Sequence, residues 1–328
     1  MNIGKTIRMG VFILLSVMML FALVNVGKSS DFSELEESYL GQKLPGLSPE
    51  IFAPGIVSTE KFEFGVTMSP DGTEFFFTRR QDYQGSSNRI YCTRFIDGKW
   101  TKPELASFAK DIFEFLPVIA PDGERLFFYS DRVKPFVDQT APSAEVDGNL
   151  WYSVKEGNAW SQARYFECPI NRSYNMMVSV AENGTIYYAG THNQKRGIYR
   201  SELRDGEYTE PVYLPDQVNI PGAAHPFIAP DESYIIFDAQ LTGRGKPELF
   251  ISFHEPSDTW TEAINMGPTI NTSKTEFAAF VSPDKRFLFF HRRVEGNGDI
   301  YWVDAKVIER LRPFRKFEQQ NAPDTNLQ

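Results

Sequence analysis

Three glutamates occupy one recurring place in this chain of 328 residues. Glu63, Glu114 and Glu276 each stand six residues before a turn that begins Ser-Pro-Asp or Ala-Pro-Asp, and two further copies of the pattern carry Asn175 and Ala223 there. Carboxylates brought together in this way could hydrolyse a glycosidic bond, one protonating the leaving oxygen while the other activates water across a gap of roughly 6.5–9.5 Å. Crowding also raises the pKa of one carboxylate, keeping an acid form available near neutral pH. The same side chains could instead pair with Arg79, Arg292 or Arg293, or surround a cation such as Ca²⁺. A second polar group closes the apolar runs that follow the turns: Arg79, Asp131, Arg132, His192, Asp238, His291 and Arg292. His225 lies two positions after Ala223. These residues are the candidate ligand-binding set, joined by Tyr83 and Phe136, aromatics in segments that no repeat explains.

What must position them is a repeated unit. Ser69-Pro70-Asp71-Gly72 returns as Ala120-Pro121-Asp122-Gly123, Ala181-Glu182-Asn183-Gly184, Ala229-Pro230-Asp231-Glu232 and Ser282-Pro283-Asp284-Lys285, at intervals of 51, 61, 48 and 53 residues. A second signal keeps the same period: Trp100-Thr101-Lys102-Pro103, Trp160-Ser161-Gln162-Ala163, Tyr208-Thr209-Glu210-Pro211 and Trp260-Thr261-Glu262-Ala263. Each Pro-Asp turn precedes a short aromatic run, such as Glu74-Phe75-Phe76-Phe77-Thr78 or Phe287-Leu288-Phe289-Phe290. Short aromatic and β-branched runs between turn residues are strands, and their continuity means that both sheet faces are covered.

Each unit is therefore a four-stranded antiparallel meander, and radial repetition of such sheets makes an all-β, five-bladed β-propeller. Six blades is the alternative if residues 131–148 hold extra strands. The fifth unit lacks a fourth strand after Asp299–Val303, while Ser48-Pro49-Glu50-Ile51 lines up with Lys102-Pro103-Glu104-Leu105. The N-terminal segment is thus expected to close the ring as the outer strand of the last blade. The short turns fall on one face. The opposite face receives the longer connections, among them the 18-residue stretch Asp131 to Gly148, and it is where binding specificity is usually built.

At these markers the chain resembles the WD40-like repeat of TolB-type bacterial propellers, over about residues 47 to 304. The likeness is clearest at Ser69 to Gly72, Ala120 to Gly123 and Ser282 to Asp284, with Asp131-Arg132 also in the family's manner. Ala181-Glu182-Asn183-Gly184 departs from it by losing the proline, and Lys285 replaces the glycine. The resemblance implies the fold; its members include scaffold, binding and enzymatic proteins, so it does not imply one activity.

Lys5 and Arg8 precede an apolar run over residues 9–26, the pattern of a secretion signal or, uncleaved, of a membrane anchor. Residues 1–30 are read as that segment, 31–46 as a linker with a short surface helix from Asp31 to Leu40, 47–310 as the propeller and 311–328 as a flexible tail. Cys92 and Cys168 fall in different repeats and are expected to be free, mostly buried thiols. A net charge of −9, without clustered Lys and Arg among aromatics, disfavours nucleic acid. His192, His225 and His291 lack the spacing of a metal site, and neither a metal nor another cofactor is expected. No phosphate loop, nucleophile elbow or zinc-protease motif occurs.

The functional expectation is an exported scaffold or binding module, periplasmic or secreted, that recognises an envelope protein, peptide or glycan on its long-loop face. The alternative is a carbohydrate-active enzyme, a glycoside hydrolase or polysaccharide lyase, working through Glu63, Glu114 and Glu276. Enzymatic activity and oligomeric state stay open at this level.

Overall fold

The aromatic runs form strands because each presents large side chains to both sides at once. Phe75 and Phe77 enter a cluster with Phe287, Phe289 and Trp302 of the fifth repeat. Phe76, between them, joins Phe108, Phe128, Leu126 and Trp160 of the second. All three phenylalanines are fully buried, so each contributes on the order of 1.5–3 kcal/mol by leaving water. A single sheet sandwiched in this way leaves no polar face, which explains the unbroken hydrophobic sequence.

The computed structural model describes residues 38–81, 88–135, 149–241, 245–294 and 297–313. Tyr83, Phe136 and the apolar segment 9–26 lie outside them. The first repeat runs Phe62–Met68, Glu74–Arg80 and Asn88–Ile96, each strand antiparallel to the one before, with Glu104–Leu105 pairing on the outer side. The second runs Glu114–Ile119, Arg125–Ser130, Asn149–Glu156 and Arg164–Tyr165. Repeat 3 comprises Asn175–Val180, Ile186–His192, Lys195–Ser201 and Val212–Tyr213. Repeat 4 comprises Ala224–Ile228, Tyr234–Ala239, Glu248–Glu255 and Ile264–Asn265. Repeat 5 supplies Thr275–Val281, Phe287–Val294 and Asn297–Asp304. Its outer strand is Glu50–Ile51, which pairs Glu50 with Trp302 and Ile51 with Tyr301. That is the register in which Glu104 and Leu105 meet Cys92 and Tyr91 in repeat 1.

First strands of successive repeats pack on one another, and Phe62–Met68 also packs on Thr275–Val281. Hydroxyls stitch them: Thr67 accepts from the Ile119 N–H at 3.0 Å and Ser179 from the Ile228 N–H at 2.9 Å. On the short-turn side Glu74 of repeat 1 accepts from Arg94 at 3.0 Å, from the Trp160 indole at 3.2 Å and from Lys155, tying repeats 1 and 2 together. Trp100, Trp160 and Trp260 are buried between sheets, the packing role expected of their period. Cys92 is buried and Cys168 partly buried, and neither is bridged.

One local expectation is corrected where the described residues reach it, since residues 31–37 lie outside them, and one element is new. The end of the expected surface helix, Tyr39 and Leu40, is a buried 3₁₀ turn with positive φ, because both side chains pack under Phe287, Phe289 and Trp302. A short helix not foreseen, Lys306–Glu309, follows repeat 5 and buries Ile308 among the side chains of repeats 4 and 5. Among the described residues no helix is long and apolar enough to cross a membrane.

Candidate functional site

Every first strand carries a β-bulge at the same place, and this sets where the candidate side chains point. The bulged residues are Gly65, Leu116, Met177, His225 and Ala278, with φ of 56°, 54°, 44°, 45° and 53°. Only glycine adopts such a φ without strain, and at Leu116 and Ala278 the bulged N–H is tied to the preceding repeat. The Leu116 N–H donates to the Thr78 hydroxyl at 2.9 Å, for example.

Two residues before three of these bulges, those at Gly65, Leu116 and Ala278, stand the glutamates. The structure does not gather them at an open mouth; each is 0 % exposed and paired within its own repeat. Arg79 Nε donates to Glu63 at 2.7 Å, Arg132 Nε to Glu114 at 2.7 Å and Arg292 Nε to Glu276 at 2.9 Å. The carboxylates also accept from the preceding loop: Thr59 N–H at 3.1 Å, Lys110 N–H at 2.8 Å and Thr272 N–H at 3.2 Å. The arginines reach past them to loop carbonyls, Arg79 to Ile56 at 3.0 Å, Arg132 to Phe108 at 2.5 Å and Arg292 to Ile270 at 2.9 Å. Each guanidinium also lies over two aromatic rings, those of Phe77 and Tyr91, Phe128 and Trp151, and Phe290 and Tyr301. Repeat 3 does the same work with one neutral residue, Asn175, whose amide donates to the Ile170 and Ser173 carbonyls, both at 3.0 Å. Repeat 4 has Ala223 in this place. The acidic ring read from the sequence is thus a set of loop clamps, and charges this buried persist only because they are paired and hydrogen-bonded.

The histidines separate. His291 is 1 % exposed, its Nδ1–H donating to the Glu63 carbonyl at 2.7 Å while Nε2 has no partner among the described residues. Burial pushes its pKa down to about 3, and the Arg293 and Arg80 charges act in the same direction, so the ring is neutral. It packs on Phe62 and Phe277 and requires Gly298, where any Cβ would fall 2.1 Å from its Cε1. His291 is therefore a core residue, and the expectation that it touches ligand is corrected on that ground. His192 is half-buried beside the ring of Tyr199. Among the described residues no cluster of three or more His, Cys, Asp or Glu could hold a metal ion.

His225 and Asp238, two candidates from different strands, do meet. Nδ1 lies 2.9 Å from the carboxylate, with side-chain exposures of 18 % and 4 %. Burial disfavours the imidazolium, but the charge and hydrogen bond of Asp238 outweigh it against the further opposition of Arg196, so the pKa is raised. The other side of the ring faces Phe277 at 5.5 Å. Asp131 is exposed beside the clamp of repeat 2.

One feature of this face escaped sequence reasoning. A cavity of about 500 Å³ opens beside Arg79, lined by Gly55, Ser58, Thr59, Glu60, Lys61, Gln81 and Tyr91. The polar close of the second strand, Arg79-Arg80-Gln81, was its only sequence signal. Asp299, opposite Arg292 in register, was also missed; burial and then the charge of Glu63 push its carboxyl up to about 6.

No protein-family model matches the sequence, and no curated protein does. Among solved structures it is similar to the endo-arabinase from Bacteroides thetaiotaomicron VPI-5482, at a TM-score of 0.50 and 11 % identity, over 80 % of this chain and 97 % of that one. The fold is a β-propeller. Looser likenesses include putative TolB from Agrobacterium tumefaciens (TM-score 0.44, 13 % identity, 74 % of this chain and 77 % of that one). TolB from Acinetobacter baumannii aligns at a TM-score of 0.46 and 11 % identity over 77 % of this chain, which spans only 54 % of that protein. Identities this low bear on the propeller fold alone.

Proposed function

We propose that this propeller is a five-bladed ring, closed by the segment around Ser48 to Pro54, that acts outside the cytoplasm as a scaffold or binding module for an envelope protein, peptide or glycan. The ring spans residues 47–310, and residues 9–26 serve as export signal or membrane anchor. The observation that carries the reading is the state of the three glutamates. Acid-base catalysis needs carboxylates within reach of a substrate, and these are enclosed by arginine, backbone amides and aromatic rings. The same face keeps an open polar cavity and the exposed polar residues around it, which suit binding without turnover.

Capture from a cell-envelope extract tests this. Charge reversal on the long-loop face, Asp131→Lys with Arg293→Glu, is expected to lower capture at least fivefold, while Asp97→Lys with Asp205→Lys on the short turns leaves it unchanged. The reverse pattern would refute the assignment of the face. Turnover of a polysaccharide that disappears in a folded Glu63→Gln or Glu276→Gln protein would refute the non-enzymatic reading. A cytoplasm-only reporter fused after Ser29 should be inactive if the chain is exported.

A further inference from the structure

We infer that the cavity beside Arg79 is a subsite for an uncharged, polyhydroxylated ligand, one sugar unit of a neutral glycan. The inference rests on the reading of the long-loop face as a binding surface and adds the chemical class. The volume, about 500 Å³, falls in the range of small-molecule sites. Its walls offer donors and acceptors side by side. Gln81 spends its amide N–H on the Tyr91 oxygen at 2.5 Å, which directs the Gln81 carbonyl and the Tyr91 hydroxyl proton to other partners. Lys61 Nζ donates to the Gln81 main-chain carbonyl at 3.1 Å and has two more protons to give; Glu60 adds an exposed carboxylate.

Adjacent hydroxyls, each both donor and acceptor, match such alternation. An ion does not, because charge is balanced within the cavity: Glu60 adjoins Lys61, and Arg79 is neutralised by Glu63 at 2.7 Å. An apolar peptide side chain fits no better. The one aromatic ring in the lining among the described residues, Tyr91, has the Arg79 guanidinium 4.9 Å from its centre and Phe77 stacked at 6.0 Å. Recognition therefore runs through hydrogen bonds, and the Glu63–Arg79 clamp behind the cavity holds two of its walls, bonding the Thr59 hydroxyl at 2.6 Å and covering the Tyr91 ring.

Full-length protein in mild detergent should be titrated, with saturation-transfer NMR and calorimetry, against neutral gluco- and manno-hexasaccharides, a hexagalacturonate and an apolar hexapeptide. At least one neutral hexasaccharide should bind. Gln81→Ala and Tyr91→Phe should each weaken it roughly three- to tenfold, the worth of one hydrogen bond. Leu105→Ala, on an outer strand, should change nothing. Thermal melts show whether each variant is folded, and the two substitutions are independent should one of them destabilise. Failure of every neutral probe, or binding untouched by both variants, overturns the inference. If the uronate or the peptide binds instead, and is lost on Asp131→Lys with Arg293→Glu but not on Gln81→Ala, the subsite falls while the binding-face reading stands. If neither the probes nor the envelope capture responds to any long-loop variant, both fall.

Discussion

Replacing Glu114 by alanine strikes the most enclosed of the clamps and asks directly whether the carboxylate is structural. The side chain accepts two hydrogen bonds besides that of its ion pair, from the Lys110 N–H at 2.8 Å and the Ser130 hydroxyl at 2.9 Å, and Arg132 Nε donates to it at 2.7 Å. Arg132 is only 6 % exposed in its side chain, so removal of Glu114 leaves a guanidinium that water barely reaches. Breaking such a pair from one side costs about 3–5 kcal/mol, a factor of roughly 150 to 5,000 in the folding constant and a large share of a typical domain's stability. Removing both charges, Glu114→Leu with Arg132→Leu, should cost clearly less than the sum of the single changes, since no lone ion remains. The assay is urea unfolding of the four proteins of the cycle, with an expected coupling of about 2 kcal/mol or more. A Glu114→Ala protein within 0.5 kcal/mol of the parent, or a coupling near zero, would refute the clamp. Glu114→Gln that folds normally but loses a catalysed turnover would return the residue to chemistry.

Deleting residues 45–56 should leave the outer edge of Asn297–Asp304 unpaired and strip Phe52 from its contacts with Phe75, Phe289 and Trp302, giving a poorly folded protein; parental melting behaviour would refute closure by this segment. His291 has its folded pKa depressed to about 3 from an ordinary 6.5, so the stability it contributes is complete above pH 6.5 and is lost as pH falls toward 3. His291→Phe should flatten the decline between pH 6 and 4 measured by urea midpoints, and an unchanged slope would contradict the assignment. Lys285 sits at φ 60° in the turn where other repeats place Gly72 and Gly123 at 73° and 75°, so Lys285→Gly should raise stability by roughly 0.5–1 kcal/mol, the relief of left-handed strain less the entropy glycine gains on unfolding. A lower unfolding midpoint would show that the Lys285 contact with Asp231, 3.4 Å long and exposed, matters more than the backbone.

The repeat period, the strands, the role of the tryptophans and the partner of repeat 5 were all legible in the chain itself. These follow from local chemistry, since turn residues, aromatic runs and the likeness of Ser48–Ile51 to Lys102–Leu105 are properties of short segments that recur. The identities of the candidate polar residues were legible too, but their employment was not. Whether a glutamate at the start of a strand faces solvent or an arginine depends on the residue paired across the sheet and on how tightly the neighbouring loop folds back. The bulge at Gly65, Leu116, Met177, His225 and Ala278 leaves no pattern in residue type, because contacts outside the strand itself, such as those of the Leu116 and Ala278 N–H groups with the preceding repeat, set it in place. The same reason separates His225, which meets Asp238 and stays 18 % exposed, from His291, which is sealed against Phe62: only the packing of repeats on one another decides which one water can reach.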